Sequence, residues 1–180
     1  MLQAKADWYW WFDEQSQTLR LNMTEFVFVS ACKAKKLIPD AKQTRPFSIE
    51  DNQTYCEFYN TITEQLNISE AGAVQIALNA LAQHHFVLDE QPKSWYFLPQ
   101  RHPRQDLFEQ VVLIQSQFES GTFFILEECQ DCAKVMLLSQ SLQLTESKSL
   151  QQFDVIKVMN NRISSLISTQ NTYPHHQNRA

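Results

Sequence analysis

Apolar and polar positions alternate from the first residues of the chain. Residues 8 to 12 read Trp-Tyr-Trp-Trp-Phe, Asp13 to Gln17 are polar, and Leu19, Leu21 and Met23 then alternate with Thr18, Arg20 and Asn22. A period of two marks half-buried strands, so this stretch predicts a strand, a polar turn and a second strand. Trp8, Trp10 and Phe12 share one face with Leu19, Leu21 and Met23, while Tyr9 and Trp11 lie beside Arg20 on the other. The first face is a core face, and the second is more aromatic than ordinary surface. Residues 26 to 29, Phe-Val-Phe-Val, are apolar on both faces and predict a third strand.

The period then changes. Ala31 to Leu37 predicts a short helix ended by Pro39. Ser48 with Asp51 three residues on is a capping-box pattern, and Tyr55, Phe58, Tyr59, Ile62 and Leu66 follow at helical spacing. Ser69 opens another helix in which Ala73, Val74, Ile76, Ala77, Leu78, Ala80 and Leu81 leave little polar surface, which marks it as the central helix of this half. Val87-Leu88 and Trp95 to Leu98 return to strand-like composition.

Two prolines within Pro99 to Pro103 favour extended backbone where the apolar pattern stops, which puts a domain boundary near Pro99. Beyond it, Val111 to Phe118 and Thr122 to Leu126 flank a Glu-Ser-Gly turn, and Lys134 to Leu138 and Leu142 to Leu144 read as further short strands. Such closely spaced strands suggest a small barrel or a curled sheet. Asp154 can cap a terminal helix carrying Val155, Ile156, Met159, Ile163, Leu166 and Ile167 on one face, although their β-branching leaves a strand open. The residues after 168 are polar and read as a disordered tail.

Composition narrows the chemistry. A 180-residue chain that is 43% hydrophobic and 12% aromatic can bury a core. No apolar signal segment or membrane-length run is present, so the expectation is a soluble chain inside the cell, with no membrane partner. The net charge of -5 argues against general nucleic-acid binding, yet Lys33, Lys35, Lys36, Lys42 and Arg45 form a basic stretch against Asp40 alone. With only Gly72 and Gly121, the glycine-rich loops of nucleotide sites are excluded. No activated nucleophile is marked by its context. Cys129-Gln-Asp-Cys132 has redox or zinc spacing, but Glu127, Glu128 and Asp131 would raise the thiol pKa values, and no second ligand pair stands at zinc spacing. The expectation is therefore no enzyme activity, no cofactor and no metal. Aromatic surfaces beside positive charge remain, which is how protein-recognition sites are built. Pro92-Lys93-Ser94-Trp95-Tyr96-Phe97 is one such segment, with Lys93, Trp95 and Phe97 on one strand face and Arg101 and Arg104 close behind. A module that stacks single-stranded nucleic acid on its aromatics is the alternative.

Several stretches taken together carry a family resemblance: Trp8 to Glu14 with Leu19 to Leu21, Leu37 to Ala41, Leu78 to Leu81, Pro92 to Trp95 with Phe97, and Asp154 to Arg162. In order and spacing the chain resembles the ZapC family, Z-ring-associated factors of bacterial cell division. It departs from the family pattern at Thr24-Glu25, where an Asn-Gly turn is expected and a less tight turn follows, and at Asn161, where an acid is expected. The resemblance implies an α+β fold, with an N-terminal α/β domain (1–98), a C-terminal small β-barrel-like domain with a terminal helix (99–168) and a tail (169–180). It also implies a cytoplasmic protein, concentrated at midcell, that binds FtsZ filaments directly, with the FtsZ C-terminal peptide one candidate contact. Lateral bundling of the filaments would stabilise the Z-ring and lower GTP turnover. A monomer is favoured. The contact residues on this reading are Leu21, Trp8 and Trp10 around an apolar pocket, and Lys33, Lys36, Lys93, Trp95 and Arg101 on a charged surface.

Overall fold

The computed structural model describes residues 1–101, 104 and 108–166; the tail expected after residue 168 lies outside them. Strands β1 (Tyr9–Asp13), β2 (Thr18–Asn22), β3 (Val27–Val29) and β4 (Arg45–Pro46) form an antiparallel sheet in the order β3-β2-β1-β4. Trp10 stands opposite Leu21 and Phe12 opposite Leu19, as the alternation predicts. Trp8, Trp10, Leu19 and Leu21 are buried, while Tyr9, Val27 and Val29 are exposed on the outer face, where the Arg20 guanidinium lies 5.4 Å from the Trp11 ring centroid. The β2–β3 turn stays tight without Asn-Gly. Met23 donates to the Phe26 carbonyl at 2.8 Å, and Thr24 takes φ 67°, held by its hydroxyl bond to Asp7 at 2.7 Å.

Helices α1 (Ile49–Gln65) and α2 (Glu70–Phe86) cover the inner face. Ser48 and Asp51 make the predicted capping box, and Asp51 does more than cap. Fully buried, it also accepts from Arg45 and from His85 Nδ1 at 2.8 Å, so it ties β4 and the end of α2 to the start of α1. Burial alone would raise the Asp51 pKa; the His85, Ser48 and Arg45 hydrogen bonds and the Arg45 charge outweigh it and lower it. In α2 every residue from Ala77 to Gln83 is buried. Its two internal amides are satisfied from opposite directions: Asn79 Oδ1 accepts from the Ala31 N–H at 2.8 Å, and Gln83 Nε2 donates to the Phe153 carbonyl at 2.8 Å.

Strands β5 (Val111–Gln115), β6 (Ser120–Glu128), β7 (Cys132–Leu137), β10 (Val155–Met159) and β11 (Ile163–Ser165) form a second antiparallel sheet, ordered β10-β7-β6-β5-β11. The hairpin of β8 (Ser141–Thr145) and β9 (Lys148–Gln151) stands apart from it as a pair. Both faces of this sheet are covered, which accounts for the unbroken Phe-Phe-Ile-Leu run of β6. Phe124, Leu126 and Met136 join the helices in one core, with Phe124 edge-on to Phe58 at 5.2 Å. Phe123, Ile125, Val135 and Leu137 face the other way, onto Phe97, Leu142, Leu144 and Leu150.

The sheet is not a closed barrel, because β10 and β11, its two edges, are not paired with each other. It is nonetheless curled. Only Asn160–Arg162 connects those edges, a span of at most ~14 Å of extended chain, whereas five flat strands would separate them by about 19 Å.

Three expectations need correction. The segment from Asp154 is strand, 3-10 turn and strand rather than a terminal helix: Ile156 and Val158 are buried between less buried Val155, Lys157 and Met159, and the alternation supplies a partner for β7. Residues 94–96 form a 3-10 turn, not a strand, so Phe97 is buried while Trp95 points out at 68% exposure. The short helix expected over residues 31–37 contracts to a 3-10 turn at Ala34–Lys36. Among the described residues, no helix is long and apolar enough to cross a membrane.

Two consequences are measurable by urea denaturation. Asp51→Ala leaves Arg45 and His85 facing an empty site and should cost about 3 kcal/mol; because the carboxyl pKa is lowered, the wild-type advantage is fully present above ~4 and declines as pH falls below it. Gln83→Leu orphans the Phe153 carbonyl and should cost about 1–3 kcal/mol. An unchanged midpoint in either variant would show that the contact in question carries no stability.

Candidate functional site

The turn after β3, the chain leaving α2 and strand β10 are joined by a zipper of hydrogen bonds. Ile38 donates to the Phe86 carbonyl at 2.8 Å and Leu88 to the Lys36 carbonyl at 2.9 Å, which lays the 3-10 turn Ala34–Lys36 beside the chain leaving α2. The Lys93 N–H donates to the Lys157 carbonyl at 2.8 Å, and the Ser94 hydroxyl accepts from the Met159 N–H at 2.7 Å, so the following segment is pinned to β10. These bonds, with the β8–β9 hairpin, enclose an open cavity of about 270 Å³.

Its floor is apolar, made by Leu144, Leu150, Val155 and Ile156, and its rim carries Lys33, Lys35, Lys36, Lys93 and Lys148 against the carboxylates of Glu90 and Asp154. Five cations against two anions give a local surplus of three in a chain whose net charge is -5. The two acids position the lysines. Glu90 bridges Lys36, at 2.7 Å, and Lys93. Asp154 accepts from Lys33 at 2.6 Å and from the Gln151 N–H at 3.0 Å, the latter in place of the helix cap expected of it. Burial opposes the Glu90 charge, but hydrogen bonds from Lys36 and Lys93 overcome it and bring its pKa down to about 2. Lys148 donates to the Tyr96 hydroxyl at 3.0 Å and lies 4.7 Å from the centroid of that ring; the hydrogen bond lowers the Tyr96 pKa. Next to the pocket, and sharing Leu144 with it, is an aromatic groove formed by Trp95, Tyr96 and Phe118.

The fold thus divides the residues singled out from the sequence. Lys33, Lys36 and Lys93 are brought together on the pocket rim, Trp95 lies in the adjoining groove, and Arg101 is exposed outside both linings. Leu21, Trp8 and Trp10 are closed core positions, at 0%, 2% and 0% exposure. They support the sheet from beneath and offer no face to a partner or a stacked base. The basic stretch is divided as well: Arg45 turns inward to Asp51, and Lys42 sits 5.7 Å from the Phe12 ring centroid. Sequence reasoning missed Lys148, Glu90 and Asp154 as parts of one site. Lys148 occupies an ordinary polar turn, and nothing local marks a lysine whose neighbours arrive from more than fifty residues away.

Comparison with known proteins places both halves of the chain. A family model described as "Cell-division protein ZapC, N-terminal" matches residues 1–88, and one described as "Cell-division protein ZapC, C-terminal" matches residues 89–169. The cell division protein ZapC of Shewanella frigidimarina is 35% identical, covering 92% of this chain and 94% of that protein. Those of Shewanella woodyi and Ferrimonas balearica are each 34% identical, over 92% and 87% of this chain and 92% and 88% of their own lengths.

The Glu90 clamp has a pH signature. Because its folded pKa is depressed, its stabilisation is complete above the unfolded value of ~4.3 and disappears as pH falls through about 2. Glu90→Gln should therefore lower the urea midpoint by the same amount from pH 5 to 8, and the gap should narrow between ~4.3 and about 2. A gap that stays constant through acid pH would show that the Glu90 charge does not hold the two lysines.

Proposed function

The chain belongs to the ZapC family of cell-division proteins, and from that premise we propose that it binds FtsZ directly through the lysine-rimmed pocket. Contact with neighbouring filaments bundles them laterally, stabilises the Z-ring at midcell in the cytoplasm and slows subunit exchange, so GTP turnover falls. The observation that carries this reading is the convergence of five lysines around an apolar floor. Burial of a partner's apolar side chain supplies affinity, and the cationic rim steers an acidic surface to it. Trp95 extends the contact as an exposed aromatic anchor beside the pocket.

Bundling needs two contacts per molecule or self-association. The outer face of the first sheet, with Tyr9 and Val27 and Val29 exposed around the Arg20–Trp11 stack, supplies a second apolar patch remote in sequence from the lysines. Leu21, Trp8 and Trp10 act here by holding that sheet in shape. Catalysis has no part in this reading.

Co-sedimentation with FtsZ and GTP tests it: the protein should pellet with polymer, and the fraction pelleted should fall as salt rises. Lys33→Glu combined with Lys93→Glu should weaken binding about tenfold, with the circular dichroism spectrum retained. Leu21→Glu buries a charge in the core and should abolish cooperative unfolding rather than binding alone. Wild-type protein that remains in the supernatant at micromolar concentration would falsify the function; undiminished binding by the folded double-lysine variant would move the contact away from the pocket.

A further inference from the structure

The hairpin joining β6 to β7 carries a pair of thiols that the proposed function does not use. Glu128 and Ala133 are the last ladder pair before the turn, so Cys129 and Cys132 stand directly opposite each other, and the Cys129 N–H donates to the Cys132 carbonyl at 2.8 Å. A hydrogen-bonded antiparallel pair has Cα atoms about 5.5 Å apart, inside the ~4.4–6.8 Å window that a disulfide spans. Both thiols are partly accessible. The turn cannot easily open, because Asn160 holds it twice: its N–H donates to the Asp131 carbonyl at 3.0 Å and its Nδ2 to the Gln130 carbonyl at 3.2 Å.

The local charge is also not what the linear sequence implies. Glu128 is engaged by Arg104, and Lys157, two residues from the Met159 that pairs with Cys132, stands across the sheet on β10 with its ammonium 3.6 Å from Asp89. The thiolate is the form that attacks a disulfide. Burial first, and then Cys129 beside it, raises the Cys132 pKa. Elsewhere Cys32 is buried, with its pKa pushed up to about 12.

We propose that Cys129 and Cys132 form a reversible dithiol–disulfide site that exchanges with small-molecule disulfides of the glutathione type. One cysteine of the pair, as its thiolate, attacks one sulfur of the oxidant, forming a mixed disulfide and expelling one small thiolate. The other loses its proton to solvent and attacks the first cysteine's sulfur, which closes the protein disulfide and expels the second thiolate. Two protein thiols are oxidised, one small disulfide is reduced to two thiols, and the exchange balances without a further oxidant.

The test uses the full, reduced chain incubated with a series of oxidised-to-reduced glutathione ratios, followed by thiol titration and peptide mass mapping. The expected result is the loss of a pair of the four thiols, with a Cys129–Cys132 link reversed by dithiothreitol. Cys132→Ser should trap glutathione on Cys129 and Cys129→Ser should trap it on Cys132, because neither variant can close the link. Four free thiols at the most oxidising ratio, or a link from either cysteine to Cys56 or to another molecule, would overturn the proposal; so would the absence of trapped glutathione in both serine variants.

Discussion

A helix with almost no polar face controls this structure. From Ala77 to Gln83 α2 is buried all the way round, so it must be covered on more than one side. The first sheet and α1 cover part of it, and the second sheet brings Phe124, Leu126 and Met136 into the same core. Its two buried amides reinforce this arrangement. Asn79 reaches a backbone group of the first half and Gln83 one of the second, and each would be costly to leave unmet. The seam on which the lysine pocket lies follows from this shared core.

The pocket illustrates how a negatively charged chain presents a positive site. Its five lysines come from the turn after β3, the segment after α2 and the β8–β9 hairpin, and Glu90 and Asp154 hold three of them in place. A low-dielectric apolar floor concentrates the field of such a rim, so the local surplus matters more to an approaching acidic surface than the net charge does. The same topology brings Lys157 of β10 across to the strand that carries Cys132. In both places cations are delivered by strand order, from positions that the linear neighbourhood does not show.

Where the sequence was misleading, the reason lies in which faces are covered. Val155 to Ile163 carries apolar residues at positions compatible with either period, and the exposed edge of β7 decided for strand. Trp95 and Phe97 alternate as a strand would, but the bond from Met159 to Ser94 and the tight 3-10 turn separate them, one outward and one into the core. Leu21 reads equally well as a pocket lining or a core residue, because both are apolar positions on a half-buried strand; only the helices packed over it distinguish the two.

Local pattern alone determined the elements with a strong period and explicit ends: the β1–β2 hairpin and its register, the Ser48–Asp51 capping box, the centrality of α2 and the first strands of the second half. The family resemblance was legible there too. Those features depend on neighbours within a few residues, which the chain displays directly. The tertiary structure decided the rest: the curl of the second sheet, the edge strands β10 and β11, the inward turn of Arg45, and the gathering of Lys33, Lys36, Lys93 and Lys148 around one floor. These depend on contacts between residues far apart in the chain, and their energies come from burial and charge pairing that exist only once the two sheets and the helices between them have closed.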